Sequence, residues 1–404
     1  MNIRLILPLI IVVDIAFLLY GVKTISISYH EAVIFFDEKS FIHYIAKFST
    51  LIFGQNDFAL RLPFMLFHIG SIVLMYKISA FYLKNQTDRV INLLVFIMLP
   101  GVTSAAILVN SAAVVIFFTL LFVYLFLNKK ENLYSLLLPF LIFIDDSFLT
   151  LYLALFVYGV FKKELFITIF SFMLILVSLY VYGFDLTNDA KVYFFNVFAI
   201  YALIFSPFLF LYFFYVLYRI LIKESKSLIW YISFVALVFS ILLSTRKMVL
   251  IEDFAPFVVI AIPLMLSMFL TSYRIRLPEL RHWYKFYFAF IFGSLILIFF
   301  FTHLNQYLYL FMNNPSKHVA YKYHIAKELA KELKKDGINS VKIDEKMQKR
   351  LKFYGIYEGD EYKISDKKEA DNLKSVTISY FGRGIKSFYV SNLHKNSIFF
   401  EKNN

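Results

Sequence analysis

From residue 3 to residue 302 the chain repeats one pattern: an apolar run of roughly 17–22 residues, then a short polar loop. The runs lie at 3–21, 63–83, 90–109, 111–127, 165–182, 196–217, 228–244, 254–271 and 286–302. Each is long enough to cross a bilayer as a helix, in which every backbone polar group is satisfied within the segment. The stretch 133–161 is too long for one span and short for two, and Asp145-Asp146 divides it. It reads as a hairpin of two short helices with the aspartates at its tip. The pattern therefore predicts an α-helical polytopic membrane protein with about eleven transmembrane helices.

Two segments break the pattern. The loop 22–62 is long, polar and aromatic. Within it Phe41, Ile45, Phe48 and Ile52 recur at helical spacing and Gly54 ends the run, which predicts a helix lying in the membrane interface. After Thr302 the composition turns to Lys, Glu and Asp. A helix is expected from Pro315 to Gly337, with Val319, Tyr323, Ala326, Ala330 and Leu333 on one face. Strand candidates lie at 340–343, 375–380 and 386–391, and Asp344 can cap a helix over 345–353. The expected organisation is a transmembrane domain, 1–302, with a large first outer loop, and a small soluble α/β domain, 303–404. This last segment shows no Gly-rich phosphate loop, metal-ligand cluster or nucleophile elbow.

Charge supplies the orientation. With the N-terminus inside, the basic loops 84–89, 128–132, 162–163, 218–227 and 272–285 all fall on the cytoplasmic side. The loops 22–62, 100–110, 145–147, 183–195 and 245–253 fall outside, with everything after 302. The first run contains Asp14 and lacks a small-x-small cleavage site, so it reads as a retained helix rather than a signal peptide. The net charge of +13 sits in short loops and in the last hundred residues, without a basic helix or RNA-binding motif, so nucleic acid is not an expected partner. The absence of cysteine excludes disulfides, thiolate zinc sites and cysteine nucleophiles.

Candidate chemistry concentrates in polar residues at membrane depth and in the loops that meet it. Ser28-Tyr29-His30-Glu31 fits a capping box, so Glu31 either closes a helix start or acts as a general base; His30 beside it is a satisfied polar group or a ligand. Arg61, just before Pro63, either snorkels to headgroups or grips a phosphate through its two-pronged guanidinium. Arg246-Lys247, basic residues on an outer loop, suit a phosphate role. Asn110 heads the fourth run as a cap. Asp145 and Asp146 mark a turn, or could ligate a cation or an acceptor amine.

The block FGQNDFALRLPF (53–64), after an outer loop beginning YHEA, resembles the polyprenyl-phosphate-dependent glycosyltransferases of the GT-C type, the group of the protein O-mannosyltransferases and the lipid A aminoarabinose transferase. Looser similarity extends over TRKMVLIEDFAPFVVIAIPLM (245–265), and the resemblance covers about residues 1–270. The family's Asp-Glu pair reads His30-Glu31 here, its frequent Asp at the head of the fourth span is Asn110, and its hairpin Lys is replaced by Asp145-Asp146. The resemblance implies an inverting transferase in a bacterial cell envelope. It would move a sugar from a polyprenyl-phosphate donor to a lipid, glycan or protein acceptor at the outer face of the inner membrane, among membrane lipids. Glu31 with His30 would do the catalysis, and Arg61, Arg246, Lys247, Asp145, Asp146 and Asn110 would bind substrate. No cofactor is indicated, and a divalent cation is compatible with the chemistry. Two alternatives stay open: a lipid-carrier flippase, disfavoured by the lack of internal repeats, and a non-catalytic relative in a glycan assembly complex, suggested by the missing Asp.

Overall fold

The computed structural model describes residues 3–183, 194–245, 251–318, 320–366 and 374–392. The chain forms two compact units, Met1–Ala16 with Phe64–Phe300, and Phe17–Pro63 with Phe301–Asn404. The second unit thus takes in the long loop after the first span together with the segment that follows the last span.

The helices follow the apolar runs closely. They are α1 (Ile3–Thr24), α2 (Tyr29–Phe36), α3 (Phe41–Phe53), α4 (Asp57–Tyr82), α5 (Gln86–Met98), α6 (Pro100–Ile107), α7 (Ala112–Leu127), α8 (Glu131–Leu141) and α9 (Phe148–Lys162). Then come α10 (Leu165–Tyr182), α11 (Phe194–Phe205), α12 (Pro207–Lys223), α13 (Leu228–Ser244), α14 (Ala255–Val259), α15 (Ile262–Ile275) and α16 (Arg281–His303). The stretch 133–161 is two short helices on either side of Asp145-Asp146, as its length implied, and the Tyr152 hydroxyl ties them by donating to the Leu138 carbonyl at 2.8 Å.

Two expected spans are broken. α5 and α6 meet at 61°, and α11 and α12 at 106°. Both breaks precede a proline, which lacks an N–H and pushes its predecessor out of the helical region. Leu99 is extended and Ser206 takes φ 77. Hydropathy averages over such a break, so the runs 90–109 and 196–217 read as continuous. Among the described residues five helices alone have the length and apolarity to cross a bilayer, and seven do if each bent pair is one span. α7, α9 and α13 are apolar but shorter.

Close approach in the first unit relies on small residues, as is usual between membrane helices. A Cβ on Gly159 of α9 would stand 2.9 Å from the Thr168 backbone nitrogen of α10. Asp14, costly inside a span, is buried and meets His68 Nε2 at 2.9 Å.

The C-terminal segment adds α17 (Ala326–Lys335), α18 (Glu345–Phe353) and a four-stranded sheet, β1 (Ser340–Lys342), β2 (Tyr357–Ser365), β3 (Lys374–Tyr380) and β4 (Arg383–Asn392). The strand order is β1-β2-β4-β3, with β1 and β2 parallel and the other pairs antiparallel. Asp344 caps α18 as its position implied, its carboxylate accepting from Met347 N at 3.2 Å. α17 buries Ala326, Leu329, Ala330 and Leu333, and Gly337 follows it with φ 74. The helix expected from Pro315 begins only at Ala326. Before it, short 3₁₀ turns at Pro315–Lys317 and Tyr321–His324 let His318 stack on Tyr309 at 4.3 Å. Val319 of the expected face lies outside the described residues. β2 escaped the sequence reading because YEGDEYKIS has no alternation, and only Ile364 in it is buried.

Two consequences are testable. Gly159→Ala should lower stability by about 1–3 kcal/mol through overpacking, whereas Gly293→Ala, with open space around it, should not; thermal unfolding in detergent separates them. His324 sits among Tyr309, Tyr380 and His318, and burial, aided by the His318 charge, pushes its imidazole from 6.5 down to about 4. The unfolded chain binds that proton at higher pH than the folded one, so stability should be full above pH 6.5 and fall towards pH 4, by up to about 3 kcal/mol. His324→Phe should remove this slope from the pH dependence of the melting temperature.

Candidate functional site: a buried arginine between two carboxylates

The site starts from two local patterns. Ser28 and Glu31 form a complete capping box for α2: the Ser28 hydroxyl accepts from Glu31 N at 3.1 Å, and the Glu31 carboxylate accepts from Ser28 N at 2.7 Å. Asp57 and Arg61, four residues apart, share one face of α4 and pair at 3.4 Å. The α4 helix starts early enough that Arg61 lies inside it, one turn in, rather than in the loop before Pro63.

These two patterns meet at the Arg61 guanidinium, which is fully buried. One terminal nitrogen lies 3.3 and 3.2 Å from the two Glu31 oxygens and also reaches the Ser26 carbonyl at 3.3 Å. The other reaches Asp57 at 3.4 Å and the Ile25 carbonyl at 3.4 Å. Arg61 is therefore enclosed by protein and does not snorkel to the surface. A buried cation needs such partners: removing one side of a buried pair typically costs about 3–5 kcal/mol.

The C-terminal segment completes the network. Tyr354 donates its hydroxyl to Asp57 at 2.7 Å and accepts from Ile27 N at 2.9 Å. Burial and the neighbouring Asp57 charge hold the Tyr354 phenol well above its usual range, so it acts as a neutral donor. Lys327 meets the other Asp57 oxygen at 2.9 Å. Arg350 donates to the Ile27 carbonyl at 2.7 Å, to the Ser26 hydroxyl at 3.2 Å and to the Lys322 carbonyl. Burial lowers the Arg350 pKa.

The remaining sequence candidates are dispersed. His30 is exposed. Asn110 Oδ1 accepts from Ala112 N at 3.2 Å, but the N-cap of α7 is Ser111, which makes no side-chain cap bond. Asp145 accepts from Ser147 N at 3.0 Å and is bonded by Ser111, which brings the α8–α9 turn to the head of α7; Asp146 is exposed. Arg246 and Lys247 lie outside the described residues. Among the described residues no three His, Asp or Glu side chains gather as a metal ion would need. Sequence reasoning missed Asp57, although its spacing to Arg61 was visible. It also missed Tyr354, Lys327 and Arg350, for which no local signal exists.

Arg61→Met should leave Glu31 and Asp57 as buried, mutually repelling carboxylates and destabilise the second unit by about 3–5 kcal/mol. Arg61→Lys should retain part of that stability, because an ammonium keeps the charge but not the fork. Protease resistance of the folded chain in detergent orders the three proteins; equal resistance would show that the network contributes nothing.

The comparisons with known proteins bear on the same stretch. Residues 39–144 match the family model described as dolichyl-phosphate-mannose-protein mannosyltransferase, a segment that contains Asp57, Arg61, Asn110 and the start of the α8–α9 turn. No curated protein matches the chain. Among solved structures, ArnT from Cupriavidus metallidurans in the apo state is similar at 11% identity and a TM-score of 0.48, over 88% of this chain and 87% of that one. The resemblance carried by FGQNDFALRLPF is thus matched by the family model over residues 39–144.

Proposed function

We propose that the protein is an inverting glycosyltransferase that takes a sugar from a polyprenyl-phosphate donor and passes it to a lipid, glycan or protein acceptor at the outer face of the inner membrane. The observation that carries this reading is the family match over 39–144, with Arg61 at the centre of a buried charge network inside it. The N-terminus is cytoplasmic in this reading, and the segment after residue 302 is soluble and extracytoplasmic.

The chemistry needs two groups. A carboxylate takes the acceptor's hydroxyl proton while the acceptor oxygen bonds to the anomeric carbon; the bond from that carbon to the phosphate oxygen breaks, and cationic groups stabilise the polyprenyl phosphate that leaves. Both Glu31 oxygens are held by Arg61, and one of them also by Ser28 N–H. Entry of the donor phosphate draws the Arg61 guanidinium from Glu31 to the phosphate and frees the carboxylate as base. His30 stands beside Glu31 at the helix start; Arg246 and Lys247 are assigned to the phosphate, and Asn110, Asp145 and Asp146 to the acceptor, on the sequence resemblance alone. A second reading, a non-catalytic relative, is favoured by one observation: the Glu31 carboxylate is engaged and only 2% exposed.

Glu31→Gln separates the two. Gln serves a capping box and Asp57 still neutralises Arg61, so folded protein should persist. Loss of the base should cut transfer by about 10²–10⁴-fold. The assay compares surface glycans and lipid A, by mass spectrometry, in a deletion strain carrying either version at matched membrane levels. Full transfer by the variant sinks the catalytic assignment.

A further inference from the structure

In the sequence AKELAKELKK of α17, the lysines 327, 331, 334 and 335 fall at i, i+4, i+7 and i+8, a stripe on the side away from the buried Ala326, Leu329 and Leu333. This stripe walls a cavity of about 940 Å³, with Lys23 at the end of α1 and the first turn of α4 opposite it. Five lysines therefore line the space against a single acid, Asp57. That acid is already satisfied by Lys327, Tyr354 and Arg61. Lys331 and Lys335 are held at 3.7 and 2.6 Å by Glu328 and Glu332 of their own helix. Among the described residues neither Lys23 nor Lys334 has an ion pair. The 26-residue α4 adds the positive end of its dipole.

Leu19 and Val22 of α1 and Phe58 of α4 add apolar lining from membrane-spanning helices, and Gln55 and Asn56, just before α4, add polar groups. Leu19 of α1 and Phe58 of α4 are 41% and 40% exposed. Beside them α3 turns Phe48, Leu51, Ile52 and Phe53 outward, while its buried side is Ile42, His43, Ala46, Ser49 and Thr50. A water-facing helix would show the reverse, so this surface is built for the lipid interface. Cationic groups over apolar walls at the mouth of two spanning helices are what an anionic headgroup requires.

We propose that this cavity is a phosphate-binding site, formed by α17, Lys23 and the start of α4, that receives the phosphate of a membrane lipid or free phosphate. It stands on the charge and shape of the second unit alone and holds whether or not Glu31 transfers sugar.

The test uses the full chain, purified in detergent, in native mass spectrometry with three probes: phosphatidylglycerol, phosphatidylcholine and inorganic phosphate. Wild type should retain phosphatidylglycerol over phosphatidylcholine, or bind inorganic phosphate; the first result assigns the site to lipid, the second to the free ion. Lys23→Gln/Lys334→Gln breaks no ion pair and should melt like wild type, yet bind the preferred probe at least about tenfold less, and about a hundredfold less if both ammonium contacts are lost. Lys317→Gln/Lys322→Gln, on exposed lysines outside the cavity, should bind normally. The proposal is overturned if neither anion is preferred over phosphatidylcholine, if the cavity variant binds as wild type does, or if the control loses as much.

Discussion

One fully buried guanidinium, that of Arg61, sets the terms for the second unit. It cannot be hydrated, so the surrounding chain has to supply its counter-charges and acceptors. Glu31 comes from the capping box of α2, Asp57 from the preceding turn of α4, and two carbonyls from the link after α1. Each partner is then held by a second bond: Glu31 by Ser28, Asp57 by Tyr354 and Lys327. The loop that leaves the first span is thereby tied to residues almost three hundred positions later.

The same network frames the chemistry. A carboxylate paired to an arginine is a poor base until the arginine has a better anion to hold. In the proposed transfer the donor phosphate would be such an anion, and Glu31 would act as base only once Arg61 had turned to it. Asp57 also lines the cavity proposed above to bind phosphate, opposite the lysines of α17.

Most of the helical fold is legible in the sequence, because one variable, apolar run length, decides it. Leu165–Tyr182 and Leu228–Ser244 begin and end where hydropathy says they do, and the aspartates at 145 and 146 divide two short helices. What hydropathy hides is direction: Pro100 and Pro207 bend their runs without making them less apolar. The capping box of Glu31 and the cap at Asp344 were readable because their partners lie three residues away. The Arg61 network was half readable. Its local halves, Ser28 with Glu31 and Asp57 with Arg61, follow from spacing, but nothing in the chain announces that they meet, or that Tyr354 and Arg350 join them.

This charge network folds the long loop after the first span and the C-terminal segment as one cooperative body. Hydrogen–deuterium exchange tests it most directly, on the intact protein in detergent and on Asp57→Ala, which removes the carboxylate that Arg61, Tyr354 and Lys327 share. Amide protection in Tyr29–Phe36 and in Glu345–Phe353 should fall together and by a similar factor. Loss confined to the first turn of α4, with both of those helices as protected as in the parent, would contradict it.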